Sequence, residues 1–411
     1  MPVDLTLLSD PKPEVKKFNR LFWGVLLLVF ILIGTIITIA LSFSYSVPND
    51  QFISGIIIYP LLAWVLLFLY NYYLYGYRKI YNREWNIRRE TRKQELINYA
   101  QRGLYVLEHS LVTEYGKFEN ASKLKENKLV MTKKSHPKSS SATNHSSLPI
   151  PDNCTSDDFC ERLKPIFITW EELLDEKLAL IPRDIKLHVR LFVEPTESSD
   201  KITKLWSKTL GKIVRRPSSI IIENPNKSDT FIESWLDDSD HDHELLLLIT
   251  ARMFYAPTDK DGEFASMFLL AGEKVDKKLF LLNDHPFLIK VHRCEKKSTL
   301  PQTIDDALHW ANNIDSNFDA VWFNGVSYEL ESIIKDHLNK IEFESENIFN
   351  IESSIGYAGC CTYMLGLALA IDNAFLTKNK QLIVIGKPNL VASVVSCLQE
   401  ENKRSEKNEK V

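Results

Sequence analysis

The chain has 411 residues and a net charge of −4, and it is 45% hydrophobic and 25% charged. The length allows two or three structural units, and the mild overall acidity excludes a protein that binds nucleic acid through its global charge. The cysteines lack the CxxC spacing of metal sites, and two of them are adjacent, which favours buried reduced thiols over disulfides. They are Cys154, Cys160, Cys294, Cys360, Cys361 and Cys397.

Two uncharged apolar runs lie within the first 77 residues. The segments 21–42 and 52–76 each match the roughly 20 apolar residues that cross a bilayer, which predicts a transmembrane helical hairpin over residues 21–77. A signal peptide is disfavoured because the first run has no clear cleavage site and a second run soon follows. Two buried helices of a soluble core are the other alternative.

Basic residues flank this hairpin asymmetrically. Lysines and an arginine occur in the tail 1–20, the connection between the runs has none, and a cluster of arginines and lysines follows from Arg78. The positive-inside rule therefore predicts a two-span protein of the bacterial inner membrane with both termini cytoplasmic.

Four further segments complete the predicted organisation. Apolar residues recur every three or four positions from Leu96 to Leu111, so residues 78–116 are predicted to form a juxtamembrane helix, on anionic lipid or against the following domain. Residues 117–160 are polar and low in complexity, which is typical of a flexible linker. Residues 161–400 are predicted to form one α/β domain, and residues 401–411 a charged tail.

The α/β domain is predicted from alternating strand and helix patterns. These elements indicate a layered sheet with helices on its faces. The strands are Lys186–Val193, Ile220–Ile222, Leu245–Phe254, Phe264–Ala271, Asp319–Phe323, Gln381–Ile385 and Ala392–Ser396, and the helices are Ile202–Val214, Thr230–Leu236, Ile304–Asn313 and Tyr328–Ile341. The stretch Asn350–Ile371 reads as a strand end, a glycine turn and a buried helix.

The last third of the chain resembles the C-terminal half of thiolase-fold β-ketoacyl synthases. The segments are DAVWFNGVSYELESIIKDHL, ESSIGYAGCCTYMLGLALAIDNAF, QLIVIG and SVVSC, with DGEFASMFLL upstream. The resemblance covers roughly Phe231 to Cys397. It implies the fold class α/β: a two-helix transmembrane hairpin followed by a thiolase-like layered α-β-α domain that can form a homodimer.

The catalytic positions of that family are changed in this chain. Condensing enzymes use a cysteine at a helix N-terminus and a pair of histidines or their equivalent. In the matching positions stand Asn324, Tyr357 and, for a lysine, Glu352, and no cysteine lies between Cys160 and Cys294. The resemblance therefore implies no catalytic residue and a structural role for four glycines, which are Gly325, Gly356, Gly359 and Gly366.

The segment Asp237–Glu244 (DDSDHDHE) combines carboxylates and imidazoles. It is interpreted as a solvated acidic loop in preference to a metal site, because no glycine fixes an ion-binding turn. No metal site and no cofactor are predicted.

The overall layout is similar to the type VI lipase adaptor family. This implies a protein partner, such as a secretion effector or a spike component, and no nucleic-acid partner. The predicted function is a membrane-anchored, catalytically inactive thiolase-like scaffold or adaptor. The alternative is a membrane-tethered condensing or acyltransfer enzyme, or the non-catalytic subunit of one, and acyl labelling of Cys360 or Cys361 would favour it.

Overall fold

The structure is a computed structural model. It describes residues 3, 5–45, 48–139, 141–151, 154–155, 157–195, 199–214, 218–276, 287–296, 299–311, 318–340 and 347–399. The predicted charged tail 401–411 lies outside these residues. The chain divides into a smaller unit, Val3–Ile97, and a larger unit that begins at Asn98.

The smaller unit is helical, with α1 (Arg20–Ser44), α2 (Asn49–Ile53), a π-helical turn (Ser54–Ile58) and most of α3 (Tyr59–Ala100). The indole Nε1 of Trp64 donates a hydrogen bond to the carbonyl of Trp23 (3.0 Å), so α3 contacts α1. Helix α1 and the helical stretch Asn49–Ala100 are long and apolar enough to cross a membrane. Apolar helices of spanning length are thus confirmed near the N-terminus, whereas the number of spans and their orientation stay predictions.

The larger unit is a mixed α/β structure, which confirms the predicted class. Its described strands form a ten-stranded sheet and a separate three-stranded sheet of β2, β3 and β7. The strands are β1 (Gly103–Val112), β2 (Lys133–Lys134), β3 (Thr143–Ser146), β4 (Leu187–Glu194), β5 (Ser218–Glu223), β6 (Leu245–Arg252), β7 (Asp261–Gly262), β8 (Phe264–Ala271), β9 (Phe287–His292), β10 (Phe318–Asn324), β11 (Ile348–Asn350), β12 (Lys380–Ile385) and β13 (Val391–Gln399). The helices are α4 (Asn120–Lys125), α5 (Phe159–Leu180), α6 (Ser199–Lys208), α7 (Phe231–Leu236), α8 (Leu300–Trp310), α9 (Tyr328–Lys340), α10 (Ile351–Ser354) and α11 (Thr362–Thr377).

The large sheet consists of two halves with the same topology. The spatial order is β11-β10-β12-β13-β9-β1-β8-β6-β4-β5. If the strands of each half are numbered one to five along the chain, both halves read 3-2-4-5-1. In both, the fifth strand runs antiparallel to its neighbours, and the other pairs are parallel. The halves join where β1 pairs antiparallel with β9, so a local two-fold relates them.

The helices repeat with the strands. Helices α5 and α8 follow the first strand of each half, α6 and α9 the second, and α7 and α11 the third. Helix α11 is buried over most of its length, because its apolar side chains point to all sides and pack in the largest hydrophobic cluster. Although α11 with its preceding turn is long and apolar enough for a membrane span, 72% of it is buried inside the unit.

The predicted juxtamembrane helix over residues 78–116 is wrong in its second half. Helix α3 ends at Ala100, and residues Gly103–Val112 form β1. Leu104 and Val106 face one hydrophobic cluster, while Tyr105 and Leu107 face the other. A strand buried on both faces carries apolar residues without alternation, so this run also fits a helical spacing.

The flexible linker predicted over residues 117–160 is also wrong. The segment contains α4, β2, β3 and the start of α5. Leu124, Leu129 and Leu148 are buried, and the side-chain amide of Asn120 donates to the carbonyl of Leu111 (3.2 Å). A few well-spaced apolar residues are enough to order this segment, because it packs against the large sheet and does not need a core of its own.

Most of the remaining predicted strands and helices are confirmed within a few residues at their ends, but the predicted helix Ile202–Val214 ends at Lys208 and is followed by a 3₁₀ turn, Leu210–Lys212. The predicted helix ends Asn313 and Ile341 lie outside the described residues. Strand β9 and most of α5 were not predicted. Strand β9 contains Lys290 and His292, which break the apolar pattern although both are buried. Helix α5 contains Pro165 beyond its first turn, where a proline lacks the amide for the i→i−4 hydrogen bond and therefore argues against a helix.

Candidate functional site at the junction of the two halves

The candidate site lies where the carboxyl ends of parallel strands from both halves meet. Strand β4 ends at Glu194, β6 ends at Arg252, and β10 ends at Asn324. In parallel sheets this edge is where ligands bind, because the loops leaving it supply exposed polar groups. The turn between α10 and α11 brings Tyr357 and Cys360 to the same place.

Arg252 connects the two halves through its guanidinium. Its Nη1 donates to the carbonyls of Gly262 (2.9 Å) and Tyr357 (3.0 Å), and its Nη2 lies 3.2 Å from Oδ1 of Asp261. Its Nε lies 3.6 Å from Oε2 of Glu194. Only 10% of the Arg252 side chain is exposed, and its two Nη atoms are hydrogen-bonded within the protein, whereas its Nε has only the ion pair with Glu194.

The backbone of the second half touches that of the first half at Gly356. The amide of Tyr357 donates to the carbonyl of Lys260 (2.7 Å), and the carbonyl of Tyr357 accepts from the amide of Gly262 (3.0 Å). Gly356 has φ +107°, and a Cβ there would lie 2.7 Å from the nitrogen of Gly262. Only glycine fits this conformation and this approach.

The side chain of Asn324 is fully buried beside this contact. Its Nδ2 donates to the carbonyl of Gly356 (3.4 Å), while its Oδ1 has no hydrogen-bond partner among the described residues. The ring of Tyr357 lies against Gly325, and burial raises the pKa of its hydroxyl. These four residues, Asn324, Gly325, Gly356 and Tyr357, therefore lie together.

The other predicted positions lie around this group. Glu352 lies in the first turn of α10, where its amide is capped by Asn350 Oδ1 (3.0 Å). Gly359 lies against Arg252 and Glu194. Gly366 is placed farther along α11, where it contacts Ile383 of β12, so it serves packing and not the site.

In the first half, the start of α7 is the counterpart of the start of α11. Ser228, three residues before α7, is fully buried and donates to the carbonyl of Cys360 (2.7 Å). The next residue, Asp229, accepts from Nδ2 of Asn389 (2.7 Å). The segment that leads into α7 is thus bonded to the second half.

Cys360 and Cys361 lie at the start of α11 in a turn of 3₁₀ helix, Gly359–Cys361. Cys361 is fully buried, and Cys360 is partly buried with its Sγ 3.1 Å from Oε2 of Glu194. A hydrogen bond with Cys360, together with burial, raises the pKa of the Cys361 thiol well above its usual value. The buried-thiol prediction is therefore confirmed for Cys361 and only partly for Cys360.

Sequence reasoning missed Arg252, Glu194 and Ser228. A signal was present for the first two: Arg252 directly follows the uncharged run Leu245–Ala251, and Glu194 directly follows the apolar end of β4. Charged residues at the ends of buried strands mark the edge where sites form. No sequence pattern indicated Ser228, because its contact with the second half becomes visible only when the two halves of the sheet are compared.

The segment Asp237–Glu244, predicted as a solvated acidic loop, is exposed at Asp237–Asp240 and at His243, but it is neither wholly solvated nor irregular. Residues Ser239–His243 form a 3₁₀ helix, and Asp242 is buried and paired with Arg102 (3.2 Å) and Lys274 (3.0 Å). The ring of His241 stacks on Trp235 at 3.5 Å between centroids. The side chains of this segment make contacts with residues outside it, such as the ion pair of Asp242 with Arg102 and the stacking of His241 on Trp235.

No protein-family model matches the chain, and no curated protein matches it. Among solved structures, it is similar to ChlB3, an acyltransferase, with 11% identity and a TM-score of 0.43, over 72% of this chain and 98% of that one. It is also similar to OleA from Xanthomonas campestris (9%, TM-score 0.41, 72% and 98%). A 3-oxoacyl-(acyl-carrier-protein) synthase III is matched at 12% and a TM-score of 0.40, over 72% and 99%.

Proposed function

We propose that the larger unit is a thiolase-like unit of the condensing-enzyme kind that serves as a scaffold. The duplicated topology supports the thiolase-like assignment, because two halves with the same strand order and direction pair through their first strands. The scaffold role rests on one observation. Arg252, at the carboxyl end of β6, uses its guanidinium to hold the two halves together.

The neighbouring groups support the same proposal. Ser228 donates to a backbone carbonyl of the second half, and the backbone of Tyr357 is bonded to the first half on both of its polar groups. A catalytic centre needs such groups to point at a substrate. We propose a protein as the partner, a secretion effector or spike component being the specific candidate, and the bacterial inner membrane as the location.

The first experiment tests the scaffold role with the detergent-solubilised full chain. Cross-linking in its own cells, followed by mass spectrometry, should enrich one partner protein reproducibly, and acyl thioesters should not be turned over. Turnover of an acyl thioester, or the absence of any enriched partner, would contradict the proposal. A monomer in detergent would argue against a homodimer through the thiolase-like unit.

The second candidate function is acyl transfer, and the geometry of Cys360 favours it. Its Sγ lies 3.1 Å from the Glu194 carboxylate, which is within reach for a general base, and it precedes a helix whose start favours negative charge. Incubation with an acyl thioester, followed by intact mass measurement, distinguishes acyl transfer from the scaffold role. An adduct that disappears in Cys360→Ser and persists in Cys397→Ser would establish acyl transfer in place of the scaffold role.

A further inference from the structure

The structure brings together three metal-binding side chains from distant parts of the sequence. Glu194 at the end of β4, Cys360 and Cys361 each offer one ligand atom, and these atoms all lie within 4.8 Å of one another. We propose that they bind a thiophilic divalent cation, and that Zn²⁺ is the ion that fits best. The site would join the first half, through Glu194, to the second half, through the two cysteines.

The backbone explains how two adjacent cysteines come to lie beside one carboxylate. Gly359 has φ +58°, and a Cβ there would lie 2.8 Å from Nε of Arg252 and 3.0 Å from Oε2 of Glu194. A side chain at this position would push the 3₁₀ turn away from Glu194. The glycine lets the turn approach closely, so both sulfurs lie near the carboxylate.

The donor set matches the chemistry of zinc. Zn²⁺ binds thiolate sulfur at about 2.3 Å and carboxylate oxygen at about 2.0–2.2 Å in a tetrahedron, so ligand atoms lie about 3.3–3.8 Å apart. The Cys360–Glu194 separation of 3.1 Å is close to this range, and small rotations of the side chains would complete the site. On binding, each thiol releases its proton to solvent, and both sulfurs become thiolates.

The surroundings balance the charge of such a site. Two thiolates and a carboxylate carry three negative charges against the two positive charges of Zn²⁺, and the guanidinium of Arg252, which is shared with Asp261, offsets part of the remainder. Arg252 holds Glu194 with its Nε at 3.6 Å, and Ser228 holds the cysteine turn through the Cys360 carbonyl (2.7 Å). Such outer contacts orient the ligands of a metal site. Three protein ligands leave one position for water.

The test uses Co²⁺ as a spectroscopic probe on the reduced, chelator-treated full chain in detergent. Co²⁺ should produce a thiolate-to-metal charge-transfer band that Zn²⁺ abolishes by displacement. Cys360→Ser and Cys361→Ser should each weaken this band strongly, and Glu194→Gln should weaken Co²⁺ binding at least about 10-fold while a thiolate band persists at saturation. Cys397→Ser, a partly buried cysteine on β13, is the matched control and should leave the band unchanged.

A second measurement keeps the test decisive if Cys361→Ser fails to fold. Zn²⁺ should protect Cys360 of the unmodified chain from alkylation, as read by mass spectrometry of its peptide, without protecting Cys397. The absence of a band, a band that survives Cys360→Ser, or equal alkylation of Cys360 with and without Zn²⁺ would overturn the proposal. The binding and alkylation readouts do not depend on a partner or on turnover, so this result is separate from the scaffold test.

Discussion

The buried ion pair between Arg162 and Glu263 determines how the segment before α5 is held. Only 2% and 1% of these side chains are exposed. Oε1 of Glu263 accepts from the amide of Phe254 (2.9 Å) and Oε2 from the amide of Leu148 (2.8 Å). Arg162 donates to Oε1 (3.3 Å) and to the carbonyl of Leu148 (3.3 Å). One pair therefore fastens α5 and residue 148 to the start of β8.

Replacement of Arg162 by methionine keeps most of the side-chain volume and removes the cation. Glu263 then remains as a buried carboxylate with two amide donors and no counter-charge. Removal of one partner of a buried pair costs about 3–5 kcal/mol of unfolding free energy. At about 2 °C per kcal/mol for a unit of this size, the melting temperature should fall by roughly 6–10 °C.

The matched control lies on the same helix. Lys164 pairs with Glu161, but 49% and 57% of these side chains are exposed. A surface pair of this kind contributes about 0–1 kcal/mol, so Lys164→Met should leave the melting temperature within about 2 °C of the unmodified chain. The two variants remove the same charge from α5 and differ mainly in burial.

The assay is thermal unfolding of the full chain in detergent, with hydrogen exchange of the amides of Leu148 and Phe254 as the local readout. In Arg162→Met these two amides should exchange faster than the amides of β6, because their acceptor loses its position. Equal melting temperatures for the two variants would refute the reasoning. Unchanged protection of both amides would show that the segment is held by other contacts.

Three further predictions follow from single positions. Gly356→Ala should abolish folded protein in an expression trial, because the added Cβ would lie 2.7 Å from the nitrogen of Gly262. A folded Gly356→Ala variant would contradict this close contact. Tyr357→His should change the melting temperature by less than about 2 °C and create no thioester hydrolysis, because the backbone of this residue makes the junction bonds. Burial and two nearby lysines lower the pKa of His292 from 6.5 to about 3. Between these two pH values the unfolded chain therefore binds a proton that the folded chain does not bind. Stability is therefore complete above pH 6.5 and falls as the pH falls toward 3, by about 2 kcal/mol at pH 5, and His292→Gln should flatten this dependence in melting curves.

The parts of the fold that the sequence predicts correctly share one property. Strands β4, β6 and β10 and helices α8 and α9 lie in segments where hydrophobic periodicity and turn residues agree. Strand β1 is buried on both faces, so its spacing fits a helix as well as a strand. The segment of residues 117–160 lacks enough apolar residues to fold alone, and it is ordered through contacts such as those of Leu148 with Glu263 and Arg162.

Only those site residues that match single positions of the family pattern could be assigned from the sequence. Asn324, Gly325, Gly356 and Tyr357 do lie together, as the family resemblance implies. Arg252 could not be assigned a role, because its four partners come from β4, β7 and the turn before α11. Contacts between such distant segments leave no spacing pattern in one sequence, and only the folded structure brings them together.

The two halves differ in the helix that follows their third strand. Helix α11 runs from Thr362 to Thr377, whereas α7 has six residues. The carbonyl of Leu236 at the end of α7 accepts from the guanidinium groups of Arg102 and Arg293. The start of α7 is bonded to the second half through Ser228. Both ends of α7 are therefore fastened, so a cysteine placed at Ser228 would remain buried and would replace a bond between the halves.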